Sequence, residues 1–338
     1  MLNYVLTNEQ FDLPDGFGLF ETSPDGRLVI IGVDSIKIED SPGSRSFSDS
    51  NAPAFGAPAF FRLSPSGNKA AAGNYQQNKV YLFDFPFTSG GNVTEASISS
   101  YDAEWHDEEW LAVSGSGAGQ TTIVSLVNST NGEVRPVIDQ IPGASGGVSF
   151  DADANLYTGI GFAGVDDPAT GLIKAFSKDE PVIQSGHWGP VIGANDPPLN
   201  FVQSGREVVN LLPAAFLTFD SEDNLCVGGG WGTGPSGQPD RGYAAVVSSN
   251  ALRRSLFDQP ALQPNASSYM LQKLDPIHGC LDSRILMVFE DGAGALGGAA
   301  RGARDSLNNS ASEIMERTGQ GGPPAPIPTK CFGLIRTG

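Results

Sequence analysis

The sequence predicts an all-β chain made of repeated four-stranded units closed into a ring. Three observations carry this. Short turn-bounded apolar strands recur from end to end, their spacing in the first half is nearly constant, and 43 Gly with 24 Pro in 338 residues favour many turns over long helices.

The clearest unit runs from Ala59 to Phe85. It reads as a strand (Phe60-Phe61-Arg62-Leu63), a Ser64-Pro65-Ser66-Gly67 turn, a strand of small residues (Ala70 to Gly73), a polar turn, and an aromatic strand (Val80 to Phe83). One such meander cannot bury both of its faces, so it needs neighbours like itself. They are present. Units with the same opening begin at Gly18, Tyr101, Gly147, Ala215 and, more weakly, Leu274. With their turns aligned at Pro24, Pro65, His106, Ala152, Ser221 and Pro276, the steps are 41, 41, 46, 69 and 55 residues. The early steps match a four-stranded propeller blade, and the later ones imply insertions in units four to six.

Third strands follow at Ser35–Ile38, Val80–Phe83, Thr122–Leu126, Leu172–Phe176, Tyr243–Val247 and Cys331–Ile335. Fourth strands are read at Val134–Ile138 and Pro181–Gln184, among others. The last unit runs out of chain after its third strand, whereas Asn3–Thr7 precedes the first unit unused. The N-terminal strand therefore closes the last blade and covers an open edge. The prediction is a single domain, residues 1–338, forming a six-bladed β-propeller, with seven blades as the alternative if 186–213 holds a degenerate one.

The turn units Ser23-Pro24-Asp25-Gly26-Arg27-Leu28 and Phe150-Asp151-Ala152-Asp153-Ala154-Asn155-Leu156-Tyr157 resemble those of the broad repeat-propeller superfamily, which includes NHL and WD-repeat domains and the gluconolactonase/senescence-marker family. The resemblance implies architecture, not an activity. No Trp-Asp dipeptide ends the third strands, which argues against a true WD-repeat protein. Gluconolactonase-type enzymes would imply a divalent metal near the axis, held by Glu, Asn and Asp from different blades. Glu21, Asn74 and Asn195 are the residues to weigh for such a set, but their register does not match clearly and none is carried over.

Charge narrows the partners. The net charge is −18, and the 20 Lys and Arg form no basic run, which disfavours nucleic acid and anionic membrane surfaces. An acidic surface keeps a chain soluble and could hold divalent cations. Three cysteines, Cys226, Cys280 and Cys331, do not make a disulfide framework; Cys280 and Cys331 share a unit and could pair or stay reduced. The N-terminus has no signal-like apolar core and no segment approaches the length of a membrane span. An intracellular or virion setting is expected, unless the chain is a mature exported form.

In a propeller the second-to-third-strand loops and the interblade connections share one face. The insertions 186–213, 229–242 and 291–330 are expected there, together with Asp166 and Asp167. Long loops on a rigid scaffold commonly carry function, so the candidate ligand or interface residues are Asp166, Asp167, His187, Trp188, Trp231, Asp240 and Arg241. Residues Ser310–Gly319 have a capping-box spacing and a terminal Gly and read as a short helix.

Several motifs give way to simpler readings. Gly292–Gly297 and Gly232–Gly237 match the dinucleotide fingerprint but lack a parallel βαβ setting. Gly143-Ala144-Ser145-Gly146-Gly147 matches a nucleophile elbow but leads into a strand. Asp151–Asn155 starts like a calcium loop and reads as a hairpin turn, since Leu156 and Phe162 stand where that loop needs Gly and Glu. His106, within Glu104–Glu109, reads as a structural turn on the face opposite the long loops.

Three functions remain. The first is a non-catalytic module that binds protein or builds an assembly through the long-loop face, for instance a virion or tail component, with no catalytic residue, metal or cofactor. The second is a metal-dependent hydrolase or lactonase at the axis. The third is a carbohydrate-binding surface protein with Trp188 and Trp231 as stacking platforms and sequons at Asn92, Asn128, Asn265 and Asn308.

Overall fold

A computed structural model describes the chain apart from residues 1–3, 13–16, 33–34, 42–43, 45, 57, 75, 120, 144–145, 162–170, 180–185, 190–195, 213, 215, 220–222, 230–242, 258–259, 264–268, 274–283, 291–293, 297–329 and 337–338. The first strand, β1 (Tyr4–Asp12), belongs to the last sheet. The next four, β2 (Phe17–Thr22), β3 (Leu28–Gly32), β4 (Ile36–Glu39) and β5 (Phe47–Ser50), form blade one. Blade two is β6 (Phe60–Leu63), β7 (Lys69–Asn74), β8 (Lys79–Asp84) and β9 (Val93–Ser97). Blade three is β10 (Asp102–Trp105), β11 (Trp110–Ser116), β12 (Thr121–Asn128) and β13 (Val134–Pro142).

Blade four is β14 (Val148–Phe150), β15 (Leu156–Gly159), β16 (Leu172–Phe176) and β18 (Arg206–Asn210). The short β17 (Leu199–Asn200) adds in parallel to β13 of blade three. Blade five is β19 (Phe216–Phe219), β20 (Leu225–Gly229), β21 (Tyr243–Val247) and β22 (Tyr269–Lys273). Helix α1 (Ser249–Phe257) lies between β21 and β22. The chain ends in β23 (Arg284–Glu290), β24 (Gly294–Leu296) and β25 (Lys330–Arg336). The innermost strands β2, β6, β10, β14 and β19 are neighbours in that order, and β24 lies against β2. The architecture is that of an all-β propeller.

Six blades are expected from sequence; among the described residues five sheets have the antiparallel four-stranded meander of a blade. The remaining sheet runs β1-β25-β23-β24, and its central pair, β23 with β25, is parallel. A parallel pair cannot be joined by a hairpin and needs a long crossover, which the stretch between Glu290 and Lys330 supplies. The N-terminal strand does pair with the C-terminal one, from Tyr4↔Arg336 to Asp12↔Lys330. Its innermost position belongs to Gly294–Leu296, so the first dinucleotide-like run is partly a strand; residues 274–276, expected in that place, lie outside the described residues. No seventh sheet occurs among the described residues, because 199–200 extends blade three and 206–210 completes blade four. The strand expected at 181–184 and the helix expected at 310–319 also lie outside the described residues.

This assignment moves one insertion. Residues 177–205 connect the third and fourth strands of blade four, and therefore leave from the same end as the first-to-second-strand turns. The stretch beginning at 186 is thus not an interblade connection on the long-loop face. Buried Lys174 anchors it by donating to Phe201 O (2.7 Å) and Ser204 O (3.2 Å), with its ammonium 4.9 Å from the Phe201 ring centroid.

Both faces of β7 meet another blade, Ala70 and Ala72 packing with blade one and Ala71 with blade three, which explains an unbroken apolar run in place of alternation. In β7, Ala70, Ala71 and Ala72 are buried while Phe61 and Phe83 pack across the gap at 6.4 Å. A Cβ on Gly73 would lie 2.2 Å from Phe60 and 2.5 Å from Ser100 Oγ, so this position needs glycine. The recurrent turns close alike: Gly26 N donates to Ser23 O and Gly67 N to Ser64 O, both at 2.8 Å, with φ of 82° and 73°. Helix α1 is a departure from the all-strand expectation. Its buried face, Ala251, Leu252, Ser255 and Leu256, packs onto blades four and five, and Ser248 Oγ accepts from Ala251 N at its start. Among the described residues no helix is long and apolar enough to cross a membrane.

The close approach of Gly115 to the preceding interblade segment yields a test. A Cβ there would sit 1.8 Å from the backbone oxygen of Ser99, which no rotamer change can relieve. Gly115→Ala is expected to lower stability by about 1–3 kcal/mol, read as a lower urea midpoint.

A charged hub and a cleft at the turn end of the axis

The inner hairpins share one register. The pairs Thr22↔Leu28, Leu63↔Ala70, Trp105↔Leu111, Phe150↔Leu156 and Phe219↔Leu225 each end a hairpin. One step inward stand Glu21, Arg62, Glu104, Ser149 and Thr218. Five blades thus place five polar residues at one level of the innermost strands, where apolar packing rules elsewhere.

Arg62 organises this level. Its side chain is 1% exposed, and its Nη2 donates to Asp102 Oδ1 at 2.8 Å. Glu104 Oε2 lies 3.7 Å from Nε and Glu21 Oε2 lies 3.8 Å from Nη1, while Nε also donates to Ala103 O. Asp102 in turn accepts from Val148 N at 3.3 Å and from the backbone of Leu217. One arginine and one aspartate therefore tie blades two, three, four and five, with Glu21 of blade one at the edge.

Burial sets the protonation. Desolvation pushes Asp102 up to about 6 against the pull of Arg62 and the backbone donors. Glu104 is pushed up to about 7 by desolvation, with Glu21 and Asp102 repelling its charge and Arg62 opposing. Desolvation works against the Arg62 charge, but its three carboxylates outweigh it and hold the guanidinium above its usual range.

Beside the hub opens a cleft of about 350 Å³. Glu104, Ser149 and Thr218 form its inner part, Trp105, Phe150 and Phe219 are its aromatic walls, and the turn residues His106, Asp151, Ala152 and Ala154 complete it. The Glu104 side chain is 24% exposed, so it serves both the hub and the cleft. Asp151 is held by Asn155 N (2.7 Å), Asn155 Nδ2 (2.8 Å) and Tyr157 OH (3.1 Å), the pattern of a hairpin turn. The rim also spans blades: Ala152 N donates to Asp223 Oδ1 at 2.8 Å.

The sequence-selected residues fall differently. Trp188, expected as a stacking platform on the long-loop face, is 1% exposed and packs at the turn end. Its ring lies 4.8 Å from His106 and 5.0 Å from Phe150, and its Nε1 donates to Ala154 O at 3.2 Å. The cause is the third-to-fourth-strand connection that carries it there. His187 bridges Ser177 beside it. His106 is indeed in a turn, with Nδ1 2.8 Å from Asp107 Oδ2, but it also borders the cleft. Asp166, Asp167, Trp231, Asp240 and Arg241 lie outside the described residues, as does Asn195. Asn74 spans Phe55 O (2.8 Å) and Gln77 N (2.9 Å), and Glu21 faces Arg62. Cys226 is buried in β20; the Cys280–Cys331 pairing lies outside the described residues. Strand β14, not a helix, follows the elbow-like Gly143–Gly147. Among the described residues no group of three His, Cys, Asp or Glu side chains converges as a metal site.

No family model matches the chain, and no curated protein matches it. Similar solved structures are propeller-type proteins. Virginiamycin B lyase from Staphylococcus aureus, an inactive form with quinupristin, is 11% identical, with 86% of this chain and 80% of that chain covered and a TM-score of 0.47. A chain of a nidogen/laminin complex is 11% identical over 70% of this chain and 78% of its own, at a TM-score of 0.46. Kuenenia stuttgartiensis hydrazine synthase is 14% identical over 72% of this chain, at a TM-score of 0.45; the match spans 65% of that chain, under two thirds of its length. The β-propeller assignment rests on the chain's own sheets, and no specific family follows from these likenesses.

The raised carboxylates predict an unusual pH profile. The folded chain keeps protons on Asp102 and Glu104 up to about 6 and about 7, whereas the unfolded chain releases them near 3.8 and 4.5. Their contribution is full below the unfolded values and is lost as pH rises through the folded ones. Partial exposure of Glu104 moderates the effect, to about 1–3 kcal/mol. Glu104→Gln is expected to flatten the stability profile between pH 4.5 and about 7, measured by urea denaturation at each pH. Arg62→Met, which strands Asp102, is expected to cost about 3–5 kcal/mol in the same assay.

Proposed function

We propose that the chain is a non-catalytic β-propeller that acts as a protein-binding or structural module in a larger assembly. The observation that carries this reading is Arg62. The inner-strand carboxylates Glu21, Asp102 and Glu104 gather around a guanidinium. A divalent cation at the same level would face that positive charge, which weighs against a metal-dependent hydrolase there. Burial of Trp188 removes one of the two stacking platforms on which the carbohydrate-binding alternative rests.

On this reading the partner engages the long-loop face through 229–242 and 291–330, with Asp166, Asp167, Trp231, Asp240 and Arg241 as contact residues. The net charge of −18 keeps single copies apart and leaves association to specific surfaces. A virion or tail component is one concrete setting, consistent with the acidic, cysteine-poor composition.

Metal analysis of the native chain together with its mass in solution tests the proposal. The expected result is no stoichiometric divalent ion and a mass above the 35.3 kDa of one chain, alone or with its co-purifying partner. Replacement of 298–328 by a short Gly/Ser linker, which spares β24, is expected to abolish association and leave the propeller folded. One tightly bound divalent ion per chain would overturn the proposal in favour of the hydrolase.

A further inference from the structure

The turn-end cleft faces away from the long loops and is not used by the interface proposed above. Its chemistry is one-sided. Among the described residues, two carboxylates, Glu104 and Asp151, border it, and no lysine or arginine does. Arg62 stands behind Glu104, in the hub and not in the wall. Trp105, Phe150 and Phe219 also line it, together with Ser149 and Thr218. Further acidic groups, Asp153 and Asp223, sit just outside, each 3.7 Å from the exposed Arg253 guanidinium. A recess of about 350 Å³ has room for the end of a side chain. Carboxylates beside aromatic residues favour a cation, through its charge and through the ring quadrupole, and repel an anion.

We propose that this cleft binds the ammonium or guanidinium end of a basic side chain presented by a partner protein, with Glu104 as the charge partner and Phe150 and Phe219 as the flanking faces. The inference rests on the binding-module reading and adds a second contact, at the opposite end of the axis, with defined partner chemistry. Glu104 suits the role because its carboxylate is shared: Arg62 approaches Oε2 at 3.7 Å, while Oε1 accepts only the adjacent Trp105 N at 3.2 Å among the described bonds. The partly exposed carboxylate thus keeps hydrogen-bonding capacity for a ligand.

The test uses the full chain at about pH 8, where Glu104 is ionised, and small probes: N-acetyl-lysine amide, N-acetyl-arginine amide, the neutral N-acetyl-norleucine amide, and butylamine. Trp105 lines the cleft and Trp188 lies one ring away, so intrinsic fluorescence reports occupancy, with calorimetry as a second readout. Saturable binding of at least one cationic amide is expected, about tenfold or more tighter than the norleucine analogue, and weakened about tenfold or more by Glu104→Gln. Ala152→Trp closes the mouth from an exposed turn position and is expected to abolish binding; it serves also if Glu104→Gln does not fold. Absence of saturation with both cationic amides, or binding unchanged in the folded variants, would overturn the assignment. Butylamine binding as tightly as the amides would overturn the partner side chain as the source, since the amides carry the backbone a protein would present. A metal-free chain that assembles but ignores the probes loses only this cleft, whereas a bound divalent ion removes the module reading whatever the probes do.

Discussion

The Arg62–Asp102 pair is the constraint on which the centre of this propeller depends. Blades in a ring touch through their innermost strands, and those strands converge where little room is left for side chains. Apolar residues could fill that space. Here a guanidinium and a carboxylate fill it, both almost wholly out of water. A buried pair of this kind adds little net stability over a well-packed apolar core, but removal of either partner leaves a costly bare charge. Its value lies in direction: Arg62 reaches blade three, and Asp102 accepts from blades four and five. Charge and hydrogen bonding thus set the order in which successive inner strands meet, a task that non-directional packing does less sharply.

The same hub supports the proposed reading of the axis as a binding surface over a metal centre. Carboxylates from several blades are what a metal-dependent propeller requires, and this chain has them. Arg62 already supplies the positive charge they would share. What remains accessible is Glu104, half turned toward the cleft and raised by burial to about 7. Its neighbours there are aromatic rings and hydroxyls, which complete a recess for an organic cation better than a coordination sphere.

The fifth-strand addition of β17 and the burial of Trp188 show how an insertion becomes part of a scaffold. The described residues between β16 and β18 add a parallel strand to blade three and pack the Trp188 indole against both His106 and Phe150, whose rings are 5.3 Å apart. Lys174 ties the segment down from inside blade four. A long loop carrying His and Trp invites a functional reading; here its tryptophan joins the wall behind the cleft.

The sequence alone determined what depends on neighbouring residues. Turn chemistry at Ser23–Gly26 and Ser64–Gly67, small residues in β7, and hydrophobic strands at regular spacing follow from local sterics, so the propeller and most of its strands were legible. The N-terminal strand was legible too, because an unused strand and an incomplete unit are both visible in one dimension. Tertiary structure decided the rest. Whether Pro181–Gln184 or Arg206–Asn210 served as the outer strand of blade four could not be read from propensity, since both suit an edge, and that choice alone moved Trp188 to the other end of the axis. The parallel pairing of β23 with β25 likewise depends on partners far apart in the chain. Arg62, Asp102 and Glu104 carried no motif, Asp102 and Glu104 being 40 and 42 residues from Arg62; Arg62 and Glu104 hold equivalent places in successive hairpins, and Asp102 lies two residues from Glu104 on the same inner strand, so only the ring brings the three together.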